Sequence, residues 1–335
     1  MENLQLKSSI AELFSEAGID SDGMEIHPIY GGGNNKVVSV QTCGGKYLAK
    51  TYYSHPSDKR NRLATEYSFL LYALNIGLSC VPKPVFCDPK KNIGLYEFVE
   101  GRKLESFELT RQHIIAAASF IKGLNARPDR DQTLPVASEG CFSIEQHFSI
   151  IDNRLNRLFS LPVESELERQ ARSFVSEIDS AWKKIKGEIS VRNGSISKEL
   201  DTDDRCISPS DFGFHNALLK NSGDICFIDF EYAGWDDPAK MVGDFFLQPA
   251  VSVPLEYLDD FISEALDYSE NKAGLTERTH LLFPVFKIKW CCLMLNEFIP
   301  DAAKRRRFAN PTQDPEHSKR LQLKKAQEFF NLRKV

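Results

Sequence analysis

Three side chains in the segment 206–230 have the types and spacing to bind a metal ion and to accept a proton. Asp211 lies in a polar loop, Asn216 follows five positions later, and Asp229 ends a short apolar run. Turn-forming residues at 221–224 separate two apolar runs and so predict a hairpin that brings the three side chains to one edge. A carboxylate beside an amide oxygen suits Mg²⁺, which prefers hard oxygen ligands. The second carboxylate is then available to accept a proton.

This pattern resembles the D-x-x-x-x-N catalytic loop and the following metal-binding aspartate of the protein-kinase-like phosphotransferases. More narrowly, the sequence I-D-F-E-Y-A-G at 228–234 is similar to the metal-binding motif of the aminoglycoside phosphotransferase and choline kinase family. A single D-x-x-x-x-N is common by chance, whereas its combination with the second motif across a strand, a turn and a strand is specific. The alternative is that Asp211 and Asp229 only cap turns.

The resemblance implies an α+β, protein-kinase-like fold with two lobes. We expect a small antiparallel β lobe over residues 1–100 and a larger, mainly helical lobe over residues 101–335, which contains the catalytic hairpin. The cleft between the lobes is the expected ligand site, since ligand pockets form preferentially at such boundaries.

The spacing of apolar residues predicts the elements that position these groups. A leading helix over 6–17 precedes a five-stranded sheet, and one helix over 63–74 lies between the third and fourth strands. Further helices follow from residue 110 onward, and a polar, exposed loop is expected before the catalytic hairpin. The ranges predicted for that loop and for the last three helices are 188–204, 255–268, 276–297 and 316–333.

A glycine-rich turn between the first two strands consists of Gly31, Gly32, Gly33, Asn34 and Asn35. Its backbone N–H groups can approach phosphates closely because no Cβ intervenes. Such a turn alone is usually an ordinary hairpin, and no G-K-[ST] follows, so it is not a P-loop. We expect it to cover the phosphates of ATP because Lys50 ends the third strand, where protein kinases keep the lysine that holds the α- and β-phosphates.

Glu66 stands at the edge of the apolar stripe of the 63–74 helix and therefore faces inward. An inward carboxylate needs a cation, and Lys50 is the expected partner. This matches the lysine–glutamate pair of the kinase small lobe. The alternative is a surface pair with Arg62, four residues earlier in the helix.

The last strand of the sheet leads into the segment 97–101. The resemblance implies that this segment is the hinge, whose backbone at Glu97 and Val99 binds the adenine edge of ATP. The sequence itself shows a strand that ends near a glycine.

Two positions depart from the family pattern. Pro209 stands where relatives usually have the histidine of H-x-D, and Met241 stands where they often have the second acidic residue of D-P-x-x-D. Both family groups help to brace the catalytic loop, and we expect one coupled, apolar replacement. The departure motivates an alternative function, a non-catalytic nucleotide-binding pseudokinase. For His215, we expect a side chain that points away from the metal side.

Composition limits the partners and the compartment. The 335 residues are 42% hydrophobic and 27% charged, and a net charge of −5 argues against nucleic acid as a partner. Eight cysteines form no C-x-x-C pair, which is typical of free thiols in a reducing compartment. Without a signal-peptide core or an apolar run of spanning length, we expect a cytoplasmic protein with no membrane partner. No feature specifies an oligomeric state.

These features together predict an ATP- and Mg²⁺-dependent kinase that phosphorylates a hydroxyl of a small acceptor, such as an amino alcohol, a sugar or an aminoglycoside-like compound. Asp211 would be the base, and Lys50, oriented by Glu66, would hold the phosphates. Asn216 and Asp229 would bind Mg²⁺.

The acceptor is expected to be a small molecule because only seven residues, 230–236, separate Asp229 from Asp237, which caps the next helix. A protein kinase needs a longer activation segment there to seat a peptide. The polar end of the 276–297 helix, with Asn296 and Glu297, is expected to face the acceptor. Three nearby residues could line the same pocket and favour an amino-bearing acceptor: Glu231, Trp235 and Asp236.

Overall fold

The computed structural model describes residues 2–29, 35–55, 58, 60–127, 133–192, 195–300 and 314–332. The strands are β1 (Glu25–Ile29), β2 (Lys36–Thr42), β3 (Gly45–Thr51), β4 (Pro84–Asp88), β5 (Ile93–Glu97), β6 (Cys206–Ser208), β7 (Ala217–Leu219), β8 (Ile225–Phe227) and β9 (Gly234–Asp236). The α-helices are α1 (Glu2–Glu16), α2 (Arg62–Asn75), α3 (Arg111–Asn125), α4 (Ile144–Phe159), α5 (Glu166–Arg192), α6 (Pro238–Leu247), α7 (Leu258–Ala265), α8 (Lys272–Met294) and α9 (Pro315–Leu332).

As predicted, the first five strands form one antiparallel sheet. Their order is β1-β2-β3-β5-β4. Helix α1 presents Ile10, Leu13 and Phe14 at helical spacing, and these pack on inward side chains of the sheet such as Val40 and Leu95. Burial of these large side chains stabilises the sheet by about 1.5–3 kcal/mol each. Helix α2 belongs to a second core, which it shares with the helical portion.

The helical portion begins after β5 and has its core between α3, α4, α6 and α8. The three C-terminal helices occur where they were predicted, although α7 is shorter and α8 starts earlier. The loop predicted from residue 188 begins later, because α5 continues to Arg192. Ile189 is buried on that last turn, and burial of this one side chain extends the helix through a polar stretch.

The predicted catalytic hairpin is present as β7 and β8, paired antiparallel with Ala217 opposite Phe227. A second short pair, β6 with β9, closes the loops on either side of the hairpin. The α+β, protein-kinase-like fold is therefore confirmed, with a small antiparallel sheet followed by a larger helical portion. Among the described residues, no helix combines the length and apolarity needed to cross a membrane.

Candidate active site

Asp211 and Asp229 are each followed by a buried phenylalanine that holds the local loop in place. Phe212 and Phe230 both pack against Phe120 of α3, with ring centroids 5.9 Å and 6.2 Å away. Aromatic contacts of this kind add about 0.5–1.5 kcal/mol beyond burial. Because both rings pack on the same helix, both carboxylates are positioned by one rigid element.

Hydrogen bonds tie Asn216 to both carboxylate loops. Its side-chain Nδ2 donates to the backbone carbonyl of Asp211 at 3.0 Å, and its backbone carbonyl accepts from the backbone N–H of Ile228 at 2.9 Å. Ser210 and Asp229 have positive φ values of 66° and 68°, which residues other than glycine rarely adopt. The surrounding contacts therefore hold the backbone in an unfavourable conformation at both carboxylate loops.

Lys50 joins the sheet to the catalytic hairpin. Its Nζ lies 2.6 Å from Oε2 of Glu66 and 2.5 Å from Oδ1 of Asp229. Burial alone would lower the pKa of Lys50, but Asp229 and Glu66 raise it well above its ordinary value. Burial opposes the charge of Asp229, yet Lys50 holds the pKa of this carboxyl below its usual value. Lys50 and Asp229 are therefore both charged.

Both oxygens of Glu66 have hydrogen-bond donors besides Lys50. The hydroxyl of Tyr52 donates to Oε2 at 2.6 Å, and the backbone N–H of Phe230 donates to Oε1 at 3.2 Å. The predicted Lys50–Glu66 pair is confirmed. The alternative partner, Arg62, instead contacts Asp58 at 2.7 Å.

His215 does not point away from the site, and this expectation was wrong. Its Nε2 lies 3.2 Å from Oδ1 of Asp211. The short 3-10 turn Phe214–Asn216 directs the side chain back over the loop, and Lys103 reinforces the turn by donating to the His215 carbonyl at 2.7 Å. His215 therefore helps to orient the Asp211 carboxylate.

The residues predicted to contact the nucleotide are only partly described. Gly31, Gly32, Gly33 and Asn34 lie outside the described residues. Asn35 is described, and its side chain is engaged with Glu231 at 2.6 Å and with the backbone N–H of Tyr53 at 3.1 Å.

At the predicted hinge, β5 ends at Glu97. The backbone N–H of Glu97 donates to the carbonyl of Lys83 at 2.8 Å and is therefore already engaged. The roles of Glu97 and Val99 stay predictions.

A buried lysine braces the catalytic loop, which the sequence did not lead us to expect. Met241 is fully buried, but the replacement at 209 and 241 is not purely apolar. The neighbouring Lys240 places its Nζ 2.6 Å from Asp236 and 3.2 Å from the hydroxyl of Ser210. Ser210 immediately precedes Asp211, so the network fixes the backbone beside that carboxylate.

Asp244 extends this network into α8. It contacts Lys240 at 3.2 Å and Lys289 at 2.6 Å, and the indole Nε1 of Trp290 donates to it at 3.0 Å. Burial disfavours the charge on Lys240, but Asp236 and Asp244 raise its pKa above the ordinary value. The signal for this network in the sequence is the D-x-x-x-K-x-x-x-D spacing at 236–244. Lys240 and Asp244 are one turn apart on α6, and Asp236 ends β9 just before this helix.

A cavity of about 840 Å³ opens beside Asp211. The helix predicted to contain Asn296 and Glu297 ends at Met294, and both residues lie in the 3-10 turn Leu295–Phe298 that follows. Asn296 lines this cavity, as expected, whereas Glu297 is buried and does not. None of the three residues expected to favour an amine lines it. Glu231, Trp235 and Asp236 are buried, with Glu231 held by Asn35 and Asp236 by Lys240.

The groups at the hairpin edge fit a hard divalent cation. The amide nitrogen of Asn216 is held by the Asp211 carbonyl, which leaves its amide oxygen as the group for a metal. The Asp229 side chain is 38% exposed, and its charge is maintained by Lys50. A carboxylate and an amide oxygen are ligands that Mg²⁺ accepts together with phosphate oxygens and water.

Comparison with known proteins identifies the family. The profile of APH, described as the phosphotransferase enzyme family, matches residues 25–245. A search of curated proteins finds no match. Among solved structures, the choline/ethanolamine kinase family protein from Mesorhizobium loti is similar with a TM-score of 0.62 and 14% identity, over 97% of this chain and 95% of that one.

Two further structures are similar over most of their length. The choline kinase from Cryptosporidium parvum Iowa II has a TM-score of 0.61 and 15% identity, over 97% of both chains. Spectinomycin phosphotransferase APH(9)-Ia, solved with ADP and spectinomycin, has a TM-score of 0.52 and 13% identity, over 91% of this chain and 95% of that one. At these identities the likeness shows the fold, while the profile match covers more than half of the chain. The chain therefore belongs to the APH phosphotransferase enzyme family.

Proposed function

We propose that this phosphotransferase moves the γ-phosphate of ATP to a hydroxyl group of a small acceptor in a Mg²⁺-dependent reaction. The observation that carries the proposal is the bridge from Lys50 to both Glu66 and Asp229. It joins the sheet to the hairpin, and Asp211 lies beside a cavity large enough for a small molecule.

Each group has a distinct role in the proposed reaction. Asp211 accepts the proton of the acceptor hydroxyl and orients that oxygen towards the phosphate. Lys50 neutralises charge on the phosphates, and Glu66 fixes its position. Asp229 and the amide oxygen of Asn216 hold Mg²⁺, which when bound neutralises phosphate oxygens. His215, through its contact with Asp211, keeps this carboxylate in one orientation.

The nucleotide is proposed to lie between the sheet and the hairpin, with its adenine at the carbonyl of Glu97 and the backbone of Val99. Two related structures were solved with ADP or AMP-PNP, which supports an adenine nucleotide as donor. Choline, ethanolamine and spectinomycin kinases are among the similar structures, which supports a small acceptor. The eight cysteines are free thiols, which favours a reducing compartment and hence the proposed cytoplasmic location.

The proposal is tested by measuring ATP consumption by the purified protein with Mg²⁺ and a panel of sugars, sugar acids, amino alcohols and aminoglycosides. Acceptor-dependent ADP release that requires Mg²⁺ is the expected result. If ATP binds but no acceptor stimulates ADP release, the non-catalytic nucleotide-binding function is favoured instead. The departures at Pro209 and Met241 motivated that alternative, and the Lys240 network weakens it by bracing the same loop.

Lys240 is proposed as a positioning residue, and the Lys240→Met variant is expected to lower kcat on the order of 10²-fold with little change in the KM for ATP. Small displacements of reacting groups have effects of this size. Because the variant leaves Asp236 without its lysine and Asp244 with Lys289 alone, its folding is checked by circular dichroism and thermal denaturation.

Ser210→Ala removes the hydroxyl at 3.2 Å from Lys240 and leaves all the charges in place. A smaller decrease in kcat is expected for this variant. Lys272→Met, at a surface pair with Asp267, is the matched control and should behave as wild type. A folded Lys240→Met protein with wild-type kcat would contradict the positioning role.

A further inference from the structure

The cavity beside Asp211 is lined by more cationic than anionic side chains. Five cationic side chains line it: Arg60, Arg154, Arg157, Lys240 and Lys289. Apart from Asp211, which the proposed reaction assigns to the hydroxyl, three carboxylates line it: Asp58, Glu139 and Asp244. With Asp211 included, five cationic side chains face four carboxylates, so positive charge exceeds negative charge in the wall by one.

Two of the arginines lie on either side of a short segment that is attached to the catalytic loop. The hydroxyl of Ser210, next to Asp211, donates to the carbonyl of Ser138 at 3.3 Å. Nη1 of Arg60 reaches the hydroxyl of Ser138 at 3.5 Å, and Arg154 contacts the neighbouring Glu139. Both guanidinium groups thus contact the segment that is bound to the catalytic loop. Asp58 also holds Arg60, accepting from its Nε at 2.6 Å and from its Nη2 at 2.7 Å.

Arg154 retains hydrogen-bonding capacity. Its contact with Glu139 uses Nη2, whereas a guanidinium has five N–H donors in a planar fork. Its Nε is buried with no acceptor among the described residues. Planar bidentate recognition of carboxylates is the property that distinguishes arginine from lysine.

A carboxylate of the protein already occupies this charged environment. Desolvation opposes the ionisation of Glu139, yet Arg154, Lys289 and Lys240 hold the pKa of this carboxyl below its usual value. A carboxylate on a bound molecule would meet the same cations.

Two aromatic side chains that line the cavity, Tyr53 and Tyr232, already face cations of the protein. The ring of Tyr232 already faces two cations, with Arg60 5.3 Å and Arg62 5.4 Å from its centroid. Arg62 also lies over the ring of Tyr53, 5.9 Å from its centroid. At these two rings, cations of the protein occupy the position that a cationic ligand would need.

We propose that the acceptor is a hydroxyl compound that carries a carboxylate, and that Arg154, with Arg60 and Arg157 nearby, binds this carboxylate while the hydroxyl lies at Asp211. The inference deepens the proposed function and depends on it. It differs from the amino-bearing acceptor that the sequence favoured, because the residues behind that preference do not line the cavity.

The test uses compounds that share a carbon skeleton and differ in one charged group. Glucose, glucosamine and glucuronate form one set, and glycerol, serinol and glycerate form a second. Binding is measured by calorimetry in the presence of MgADP, which needs no turnover, and phosphate transfer from ATP is measured in parallel. The carboxylate member is expected to bind about 10- to 100-fold more tightly than its neutral and amino counterparts, because a hydrogen bond to a charged group strengthens binding by about this factor.

Arg154→Gln is expected to remove most of this preference while the affinities for ATP and for the neutral member stay unchanged. The double variant Arg154→Gln/Glu139→Gln keeps the local charge balanced and provides the same test if the single variant folds poorly. Arg169→Gln, at an exposed pair with Glu166, is the control.

Tighter binding of the amino members, an unchanged carboxylate preference in both Arg154 variants, or no binding by any member would each overturn this inference. Glucose 6-phosphate is tested in the same way, and tighter binding of this compound than of glucuronate would overturn the carboxylate assignment. Failure of the proposed function is distinguishable, since it would appear as carboxylate binding without any transfer of phosphate.

Discussion

Replacement of Asp211 with asparagine is expected to decrease phosphate transfer by about 10²–10⁴-fold, the usual contribution of a positioned general base. Asparagine keeps the size of the side chain but cannot accept the proton of the acceptor hydroxyl. The affinity for Mg·ATP should remain nearly unchanged, because Lys50, Asn216 and Asp229 are proposed to bind the nucleotide and the metal.

Rate and affinity are measured separately, by product formation under saturating ATP and by calorimetry with Mg·ATP. Asp224→Asn, in the exposed turn of the same hairpin, is the control and should have wild-type kinetics. Normal turnover by Asp211→Asn would show that Asp211 is not the base.

Lys50→Met is expected to lower kcat by about 10²–10³-fold, the effect of losing one fixed group that stabilises charge in the transition state. The same substitution leaves Glu66 and Asp229 without their shared cation. Removal of one partner from a buried pair costs about 3–5 kcal/mol of stability, so folded protein is verified first. Lys46→Met, on the same strand with an exposed pair to Glu100, is the matched control.

The pair itself is tested by a double-mutant cycle with Glu66→Gln. If Glu66 acts by holding Lys50, the effects of the two substitutions on kcat will not add, with a coupling of about 0.5–3 kcal/mol. Additive effects would contradict the proposed role of Glu66.

The sequence was sufficient for the parts of the site that depend on local pattern. The turn at 221–224 predicted the hairpin, and the helical spacing around Glu66 placed this carboxylate inward. Lys50 was then the natural partner, since an inward carboxylate without a cation is costly. The structure has this pair at 2.6 Å.

The remaining parts depend on contacts between segments that are distant in the chain. Asp244 contacts Lys289 of α8, and Lys240 contacts Ser210, thirty residues earlier. A local pattern does not show which helix face contacts which loop. For this reason an apolar replacement was predicted at 209 and 241, where the structure has the ionic network of Lys240. His215 was misplaced for a related reason, because the 3-10 turn that directs it cannot be distinguished from an ordinary loop by residue types.

The acceptor cavity illustrates the same limit. The residues chosen from the sequence were close to Asp229 along the chain, and two of them instead satisfy buried partners, Glu231 with Asn35 and Asp236 with Lys240. The charged side chains that line the cavity come from α4, α6 and α8, from the segments after β3 and before α4, and from the catalytic loop. Proximity in sequence was a poor guide because a large pocket is assembled from several elements.

The most direct test of the account is transfer of labelled γ-phosphate from ATP, followed to the product. Wild-type protein and the Asp211→Asn variant are each incubated with Mg²⁺, labelled ATP and a mixture of small hydroxyl compounds, beside denatured protein and peptide substrates. The proposed function predicts label in a small-molecule phosphate ester with wild-type protein and almost none with the Asp211→Asn variant. Robust labelling of peptides with no labelled small molecule would contradict it.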